Sequence, residues 1–392
     1  MHVDSAAYVL LVIRGLEHLA IKEIHEKLEV TSLTTLTLQA DPNNPKMDVM
    51  RGEAAVGKLL LHTTSTPAQV KALCSIQAFL AYLAHADTIP TTDIAGPDVI
   101  ATLVATASTW PAALQLWEAH CPQSSASSVR FRASCVRDGK HAYSSETIAG
   151  KVGAAVVAKF GYGVSLAAFD LEVVCLVMHH HVVLGLSLAD DPEAINFRGS
   201  RLAPERRRIP TMKYMSTLRP STAYLMLQLA ECSIGDIVLD CMCGVGTLPA
   251  SSVFWAPVVA FGGDISTDAV AQANTNFQGQ RANVCQWSSA HLPVRSNAVD
   301  CVLVDMPFGL LCGNSTQNAK LYPKAIKEMA RVLRPGGRAV LLVMSKKLLV
   351  HSVRNVPSIA IVQDLPVTIG GLGVGIYILE KQASKKRSLS DS

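Results

Sequence analysis

The sequence predicts an α/β fold whose C-terminal half is a doubly wound, mostly parallel sheet. Three observations predict it. Apolar runs near 237–241, 257–263, 282–286, 299–304 and 338–344 alternate with helical segments. Acids end or follow three of these runs: Asp240, Asp264 and Asp305. A glycine turn, Asp240-Cys241-Met242-Cys243-Gly244-Val245-Gly246-Thr247, joins the first run to a helix start. In sheets of this kind, ligands bind beyond the carboxyl ends of the strands.

The glycine turn lets the backbone approach a ligand closely at Gly244 and Gly246. It is not a dinucleotide fingerprint, because the third glycine falls at position 249, which is Pro249. A pyrophosphate loop is therefore not expected. Eighteen residues after Gly246, Asp264 ends the stretch Val258-Val259-Ala260-Phe261-Gly262-Gly263. An acid there is placed to accept both hydroxyls of a ribose. A ribose site without a phosphate site fits S-adenosylmethionine. The candidate donor-binding residues are Asp240, Cys243, Gly244, Gly246, Thr247, Asp264 and Ile265, joined by Ser288 and Ser289 after Trp287.

The fourth run, Val299-Asp300-Cys301-Val302-Leu303-Val304, leads into Asp305-Met306-Pro307-Phe308-Gly309. One reading is a plain strand-ending turn, since Asp, Pro and Gly all favour turns. The other is a clamp for a planar group bearing an exocyclic amine. In that reading Asp305 and a backbone carbonyl at Met306 or Pro307 accept the two N–H bonds, and Phe308 stacks on the ring. Asp305, Pro307 and Phe308 are the candidate catalytic residues. Beside a methyl donor, such a clamp serves amino-group methylation on a nucleobase.

The remaining elements of this half follow in order. A helix over Tyr322–Leu333 stops at Arg334-Pro335-Gly336-Gly337. Two further apolar strands, Ile359–Ile369 and Val374–Leu379, form an antiparallel hairpin. Seven strands with a reversed last pair resemble the large Rossmann-like methyltransferase class.

Composition bounds the rest. A chain of 392 residues holds two or three domains. Only 17% of residues are charged and 5% aromatic, so an Ala-, Val- and Leu-rich core must be buried. The longest uncharged run, Val99–Trp117, contains Pro111 and several Thr and Ser, and reads as helix and loop rather than a membrane span. The run Tyr8–Ile13 is too short for a secretory signal. Ten cysteines without Cys-x-x-Cys pairs read as reduced thiols of an intracellular, cytoplasmic protein, and no metal ligand set is expected. His179-His180-His181 reads as an exposed turn between strands.

Net charge is only +4, so distribution matters more than total. Arg198, Arg201, Arg206, Arg207 and Arg208 cluster between Pro-containing segments, as an exposed linker suited to phosphate contact. The tail from Ser384 reads as disordered, and Lys385-Lys386-Arg387 is a weak nuclear-import run.

The N-terminal half carries the substrate class. Val129–Arg137 alternates like a strand with basic residues on one face. It leads through Asp138-Gly139-Lys140 to Ser144-Ser145-Glu146 and a helix over Ile148–Phe160. A hairpin of Phe169–Val177 and Val182–Leu186 follows. Phe131-Arg132-Ala133-Ser134-Cys135, Tyr143-Ser144-Ser145, Ile148-Ala149-Gly150, Phe160-Gly161-Tyr162 and Phe169-Asp170-Leu171-Glu172-Val173 resemble, in this order, the THUMP module of tRNA-modifying enzymes. The candidate RNA contacts are Arg130, Arg132, Arg137, Lys140, Arg206, Arg207 and Arg208.

With Thr217-Leu218-Arg219-Pro220-Ser221-Thr222-Ala223-Tyr224, Gly370-Gly371-Leu372 and Arg14-Gly15-Leu16-Glu17, the resemblance covers nearly the whole chain. It is to the THUMP-domain-containing tRNA guanosine N2-methyltransferases of the eukaryotic acceptor-stem type. The resemblance implies a ferredoxin-like domain over 1–95 and a THUMP domain over 96–190. It further implies a basic linker over 191–216, a methyltransferase domain over 217–382 and a tail over 383–392. It implies that the N-terminal half grips the 3′ end of tRNA and measures to a guanine in the acceptor stem. It also implies a small zinc-binding activator subunit that covers an apolar edge of the methyltransferase sheet.

Three departures stand out. Ser288 occupies a position where an acid often contacts the donor's adenine amine. Cys241 replaces the usual Pro after Asp240, and Leu310-Leu311 replace basic residues after Gly309. They keep open a methyltransferase-fold RNA-binding protein with weak or no catalysis, and methylation of a small nuclear RNA. The same clamp on adenine N6 or a glutamine amide is disfavoured by the THUMP-like half.

Overall fold

A computed structural model of the chain describes residues 5–38, 54–120, 129–188, 218–309, 315–369 and 371–383. The chain divides into two compact units, 1–205 and 206–392. The linker arginines Arg198, Arg201, Arg206, Arg207 and Arg208, the pair Leu310-Leu311, Gly370 and the tail lie outside the described residues.

The first unit contains strands β1 (Ala6–Val12), β2 (Val30–Leu38), β3 (Ala54–Thr63), β4 (Ile76–Ala86), β5 (Arg130–Asp138), β6 (Gly163–Val164), β7 (Leu171–Met178) and β8 (His181–Ser187). They form one eight-stranded sheet in the order β2-β3-β1-β4-β8-β7-β5-β6. Antiparallel pairing of β4 with β8 joins the strands of the first 86 residues to those of the THUMP-like segment.

Buried acids fix the turns of this unit. Glu17 accepts hydrogen bonds from the Gly15 N–H at 2.8 Å and the Gly57 N–H at 3.0 Å. Glu23 accepts from the N–H groups of Cys74 and Ser75, both at 2.8 Å. Each carboxylate thereby ties the first helix, Glu17–Lys27, to backbone about fifty residues or fewer away in the chain. The uncharged run Val99–Trp117 lies in two helices, Gly96–Thr106 and Trp110–His120, bent at their junction. Ile100, Val104, Trp110, Ala113 and Trp117 are buried in the core. Among the described residues no single helix is long and apolar enough to cross a membrane.

The helix expected from Ile148 begins three residues earlier and runs Ser145–Phe160. Ser144 caps it by accepting from the Thr147 N–H, and Gly161 ends it in the left-handed region at φ 68°. The histidine turn is only partly as expected. His179, at φ 54°, turns the chain between β7 and β8, but His181 is buried, with Nδ1 3.5 Å from Asp87. It begins a buried strand, which is why the triplet is not an exposed loop.

The face of β5 also differs from the alternation read in the sequence. Arg130 is exposed, whereas Arg132 is largely enclosed. The Arg132 guanidinium donates to Glu172 Oε1 at 2.6 Å and lies 4.3 Å above the Phe169 ring. Glu172 sits opposite it on β7 with no exposed side-chain surface. Removing one partner of a buried pair costs more than the pair itself contributes. Arg132→Ala is therefore expected to lower the stability of the first unit by about 3 kcal/mol in urea unfolding. Arg130→Ala is expected to change it by less than about 1 kcal/mol.

The second unit contains β9 (Ile237–Asp240), β10 (Val259–Asp264), β11 (Ala282–Gln286), β12 (Val299–Asp305), β13 (Leu333–Val343), β14 (Ile359–Ile369) and β15 (Leu372–Lys381). The sheet order is β11-β10-β9-β12-β13-β15-β14. β15 lies between β13 and β14 and is antiparallel to both. Only β15 therefore opposes the sheet, rather than a whole reversed pair. The helix Lys346–Arg354 carries the chain to the edge, and the hairpin folds back into the slot beside β13.

The helix expected over Tyr322–Leu333 spans Ser315–Val332, with Pro323 inside it. Proline suits the first helical turn, which misplaces the start when only sequence is read. The preceding turns form because tertiary hydrogen bonds, described below, hold them.

Candidate active site

Asp240, Asp264 and Asp305 end three adjacent parallel strands, β9, β10 and β12. The Asp240 side chain is 2% exposed, and its Oδ1 accepts the Met242 N–H at 3.0 Å. Burial, together with the charges of Asp305 and Asp264, pushes the Asp240 carboxyl well above the ordinary carboxylate range, against the pull of the Met242 N–H. Burial alone pushes Asp305 up to about 7. None of the three is in an ion pair among the described residues. A cationic ligand at these strand ends would offset the burial and repulsion that raise Asp240.

The glycine turn sits directly on these acids. The Gly244 N–H donates to Asp264 Oδ2 at 3.0 Å, and the Ser266 N–H donates to Oδ1 at 2.9 Å. Cys243 donates its N–H to the Gly263 carbonyl, tying the turn to β10. Gly246, at φ +88°, precedes the helix Thr247–Trp255, and a side chain there would meet the Phe277 ring at 2.5 Å. Gly244 is also left-handed, at φ +52°, but a Cβ there would meet nothing within 4 Å. The turn thus presents open space at Gly244 and is packed shut at Gly246. The close helix–strand contact that a third turn glycine usually allows comes here from the strand. Gly262 of β10 lies against Cys243 and Pro249.

Ile265, next to Asp264, is 74% exposed, an apolar surface placed beside the ribose-type acid. Trp287 lies flat on the Gly263 backbone, where any side chain would collide with the indole. Its Nε1–H donates to the Cys241 carbonyl at 3.2 Å. Ser288 Oγ accepts the Ala290 N–H at 3.3 Å, and Ser289 is buried. Glu328 and Arg331 hold the following segment by bonds to the Leu292 N–H and to the Leu292 and Val294 carbonyls.

Hydrogen bonds hold two backbone groups of the Asp305–Gly309 segment. The Met306 N–H donates to the Leu342 carbonyl at 3.0 Å. The Pro307 carbonyl accepts two hydrogen bonds, from Asn318 Nδ2 at 2.7 Å and from the Tyr322 hydroxyl at 3.3 Å. Both lone pairs of that oxygen are engaged, so of the two carbonyls read as clamp acceptors it is Met306 that is left for a substrate. Asn318 and Tyr322 are one helical turn apart on Ser315–Val332 and therefore share a face. Neither was legible as a site residue in the sequence, though their i, i+4 spacing was a signal. Phe308 is half-buried.

In the first unit, Arg130 and Lys140 are exposed and Arg137 is half-buried. Arg132 is paired inside the unit, which weakens its assignment to RNA. Arg206, Arg207 and Arg208 lie outside the described residues.

Comparisons with known proteins agree with this geometry. Residues 207–373 match the model of the RMKL-like methyltransferase domain. The tRNA (guanine(6)-N(2))-methyltransferase THUMP3 of Bos taurus is 33% identical over 272 residues, covering 64% of this chain and 51% of that protein. These matches agree with the resemblance of its motifs to the guanosine N2-methyltransferase family. Another relative, the U6 snRNA (guanine-N(2))-methyltransferase THUMPD2 of Bos taurus, is 30% identical over 221 residues, covering 54% of this chain and 40% of its own length. The chain spans about half the length of the curated relatives it matches. The structure of TrmN from Thermus thermophilus has the same fold, with a TM-score of 0.70 at 20% identity over 96% of this chain and 99% of that one.

The two glycines of the turn make different predictions. Gly244→Ala meets no neighbour, so only its left-handed backbone should cost stability, about 1 kcal/mol. Gly246→Ala adds a collision with Phe277 and should cost at least about twice that in guanidinium unfolding of the ligand-free protein.

Proposed function

We propose that this chain transfers a methyl group from S-adenosylmethionine to the N2 amine of a guanosine in structured RNA, with the tRNA acceptor stem as the first candidate. The observation that carries this reading is the trio of unpaired carboxylates around an open glycine turn, beside a pinned Asp305–Phe308 clamp. A phosphate ligand would be repelled there. A ligand with a sulfonium, an ammonium and a ribose is complementary to it.

S-adenosylmethionine supplies, when bound, a methyl group already activated on a sulfonium. Asp240 and the Gly244–Gly246 turn would hold its amino-acid end. Asp264 would accept from its ribose, because each oxygen still has a lone pair beyond its backbone bond. Ile265 and the Ser288-Ser289 segment would border the adenine.

The chain's own residues then work on the acceptor. A guanine must leave its stack, at a cost of a few kcal/mol. Stacking on Phe308 would offset part of this, worth ~1–3 kcal/mol per base. Asp305 would accept one N2 hydrogen and the Met306 carbonyl the other, which turns the amine lone pair out of conjugation with the ring. A carboxyl held at about 7 is well matched to take the proton released from the amine. The first unit would supply RNA affinity, with exposed Arg130 and Lys140 and the linker arginines as phosphate contacts. A small zinc-binding activator subunit belongs to the same proposal, covering one edge of the second sheet, as does a cytoplasmic location.

The similarity to the U6 snRNA enzyme supports a second reading with the same chemistry on a small nuclear RNA. Nucleoside mass spectrometry distinguishes them. Purified protein with the activator, S-adenosylmethionine and either transfer RNA or U6 RNA should yield N2-methylguanosine in one of the two. The rate should rise with pH through about 7, as Asp305 loses the proton that burial holds on it. Asp305→Asn should reduce the product by at least about a hundredfold. N6-methyladenosine as the product, or no modified base in either RNA, would overturn the reading.

A further inference from the structure

We propose that Cys232, Asp236 and Cys301 form a structural site for a zinc-class divalent cation at the end of the second sheet opposite the candidate active site. Their ligand atoms, two thiol sulfurs and a carboxylate oxygen, all lie within 4.8 Å of one another. Tetrahedral zinc holds sulfur at about 2.3 Å and oxygen at about 2.0–2.2 Å, so its donors stand roughly 3.5–3.8 Å apart. The 4.8 Å limit on their separations lies about 1 Å above that spacing.

One neighbour, the end of a helix, favours positive charge independently of the three donors, while the Arg334 guanidinium interacts with Asp236 and Cys301 and that of Arg338 with Cys301. The helix Pro220–Ala230 ends at this point, with Glu231 in the left-handed region at φ 52°. A helix C-terminus presents free carbonyls and the negative end of its dipole. The Ala230 carbonyl lies 3.8 Å from Cys301 Sγ and offers a further oxygen. The neighbouring acid Asp300 is already committed, to Arg334 and to the Ile237 N–H, and so stands outside the donor set.

Donor chemistry selects the ion. Two thiolates with one carboxylate suit zinc, whereas magnesium and calcium take oxygen ligands. Position selects the role. Cys301 lies four residues before Asp305 on β12, about 13 Å away at about 3.3 Å per strand residue. Too remote for the methyl-transfer chemistry, the cation would fasten the loop of Cys232 and Asp236 to β12, and with it the helix that precedes β9. No spacing in the sequence announces this, because the third donor comes 65 residues after the second.

The test uses the full chain, reduced with a phosphine and freed of metal by a chelator. Titration with cobalt(II) should give one equivalent per chain, with a thiolate-to-cobalt charge-transfer absorption that zinc abolishes. Cys232→Ser and Asp236→Asn should each weaken binding at least tenfold, and both lie on a partly exposed loop where folding tolerates change. Cys301→Ser should remove the band, and Cys285→Ser, at an exposed strand position, should leave it intact. Binding without the charge-transfer band would overturn the proposal. So would wild-type affinity in Cys232→Ser, or a Cys232–Cys301 disulfide in the untreated protein.

Discussion

Three carboxylates at the ends of neighbouring parallel strands are the constraint around which the second unit is built. Desolvating an acid is costly, and placing two more beside it adds repulsion. Asp240 is almost fully buried and meets both costs, which its pushed-up carboxyl records. A fold retains such an arrangement when a ligand repays it. The backbone around it is organised to the same end. Gly244 leaves open space, Gly246 is locked against Phe277, and two backbone N–H groups hold Asp264 at a fixed angle.

The clamp depends on a different kind of support. A strand-ending turn carries no catalytic precision unless its carbonyls are aimed. Asn318 and Tyr322 fix the Pro307 carbonyl from one helical face, and the Leu342 carbonyl fixes the Met306 N–H. The two oxygens proposed to meet a substrate amine, on Asp305 and Met306, therefore lie next to backbone groups held by hydrogen bonds. Positioning of this kind is the main contribution a protein can make when the transferred group is already activated.

Much of this was legible in the sequence. The apolar runs of the second unit end in acids at the strand boundaries, so Asp240, Asp264 and Asp305 could be read as one site. The doubly wound sheet followed from their alternation with helices, whereas the strand order did not. What was not legible depended on contacts between distant residues. Arg132 shares a face of β5 with Arg130 by period, but Glu172, forty residues on, takes it out of solvent. The helix read from Tyr322 starts two turns earlier, at Ser315, where Asn318 bonds the Pro307 carbonyl. Pro249 replaces a glycine that Gly262 makes unnecessary. In each case a tertiary partner overrides a local rule.

The central claim is that the strand-end carboxylates form a site for a cationic methyl donor. Titration calorimetry of S-adenosylmethionine into the purified protein, with the activator subunit present, tests it most directly. One site per chain is predicted, with affinity at least tenfold weaker in Asp240→Asn. An absence of binding, or an Asp240→Asn variant that binds as tightly as the unmodified protein, would contradict it.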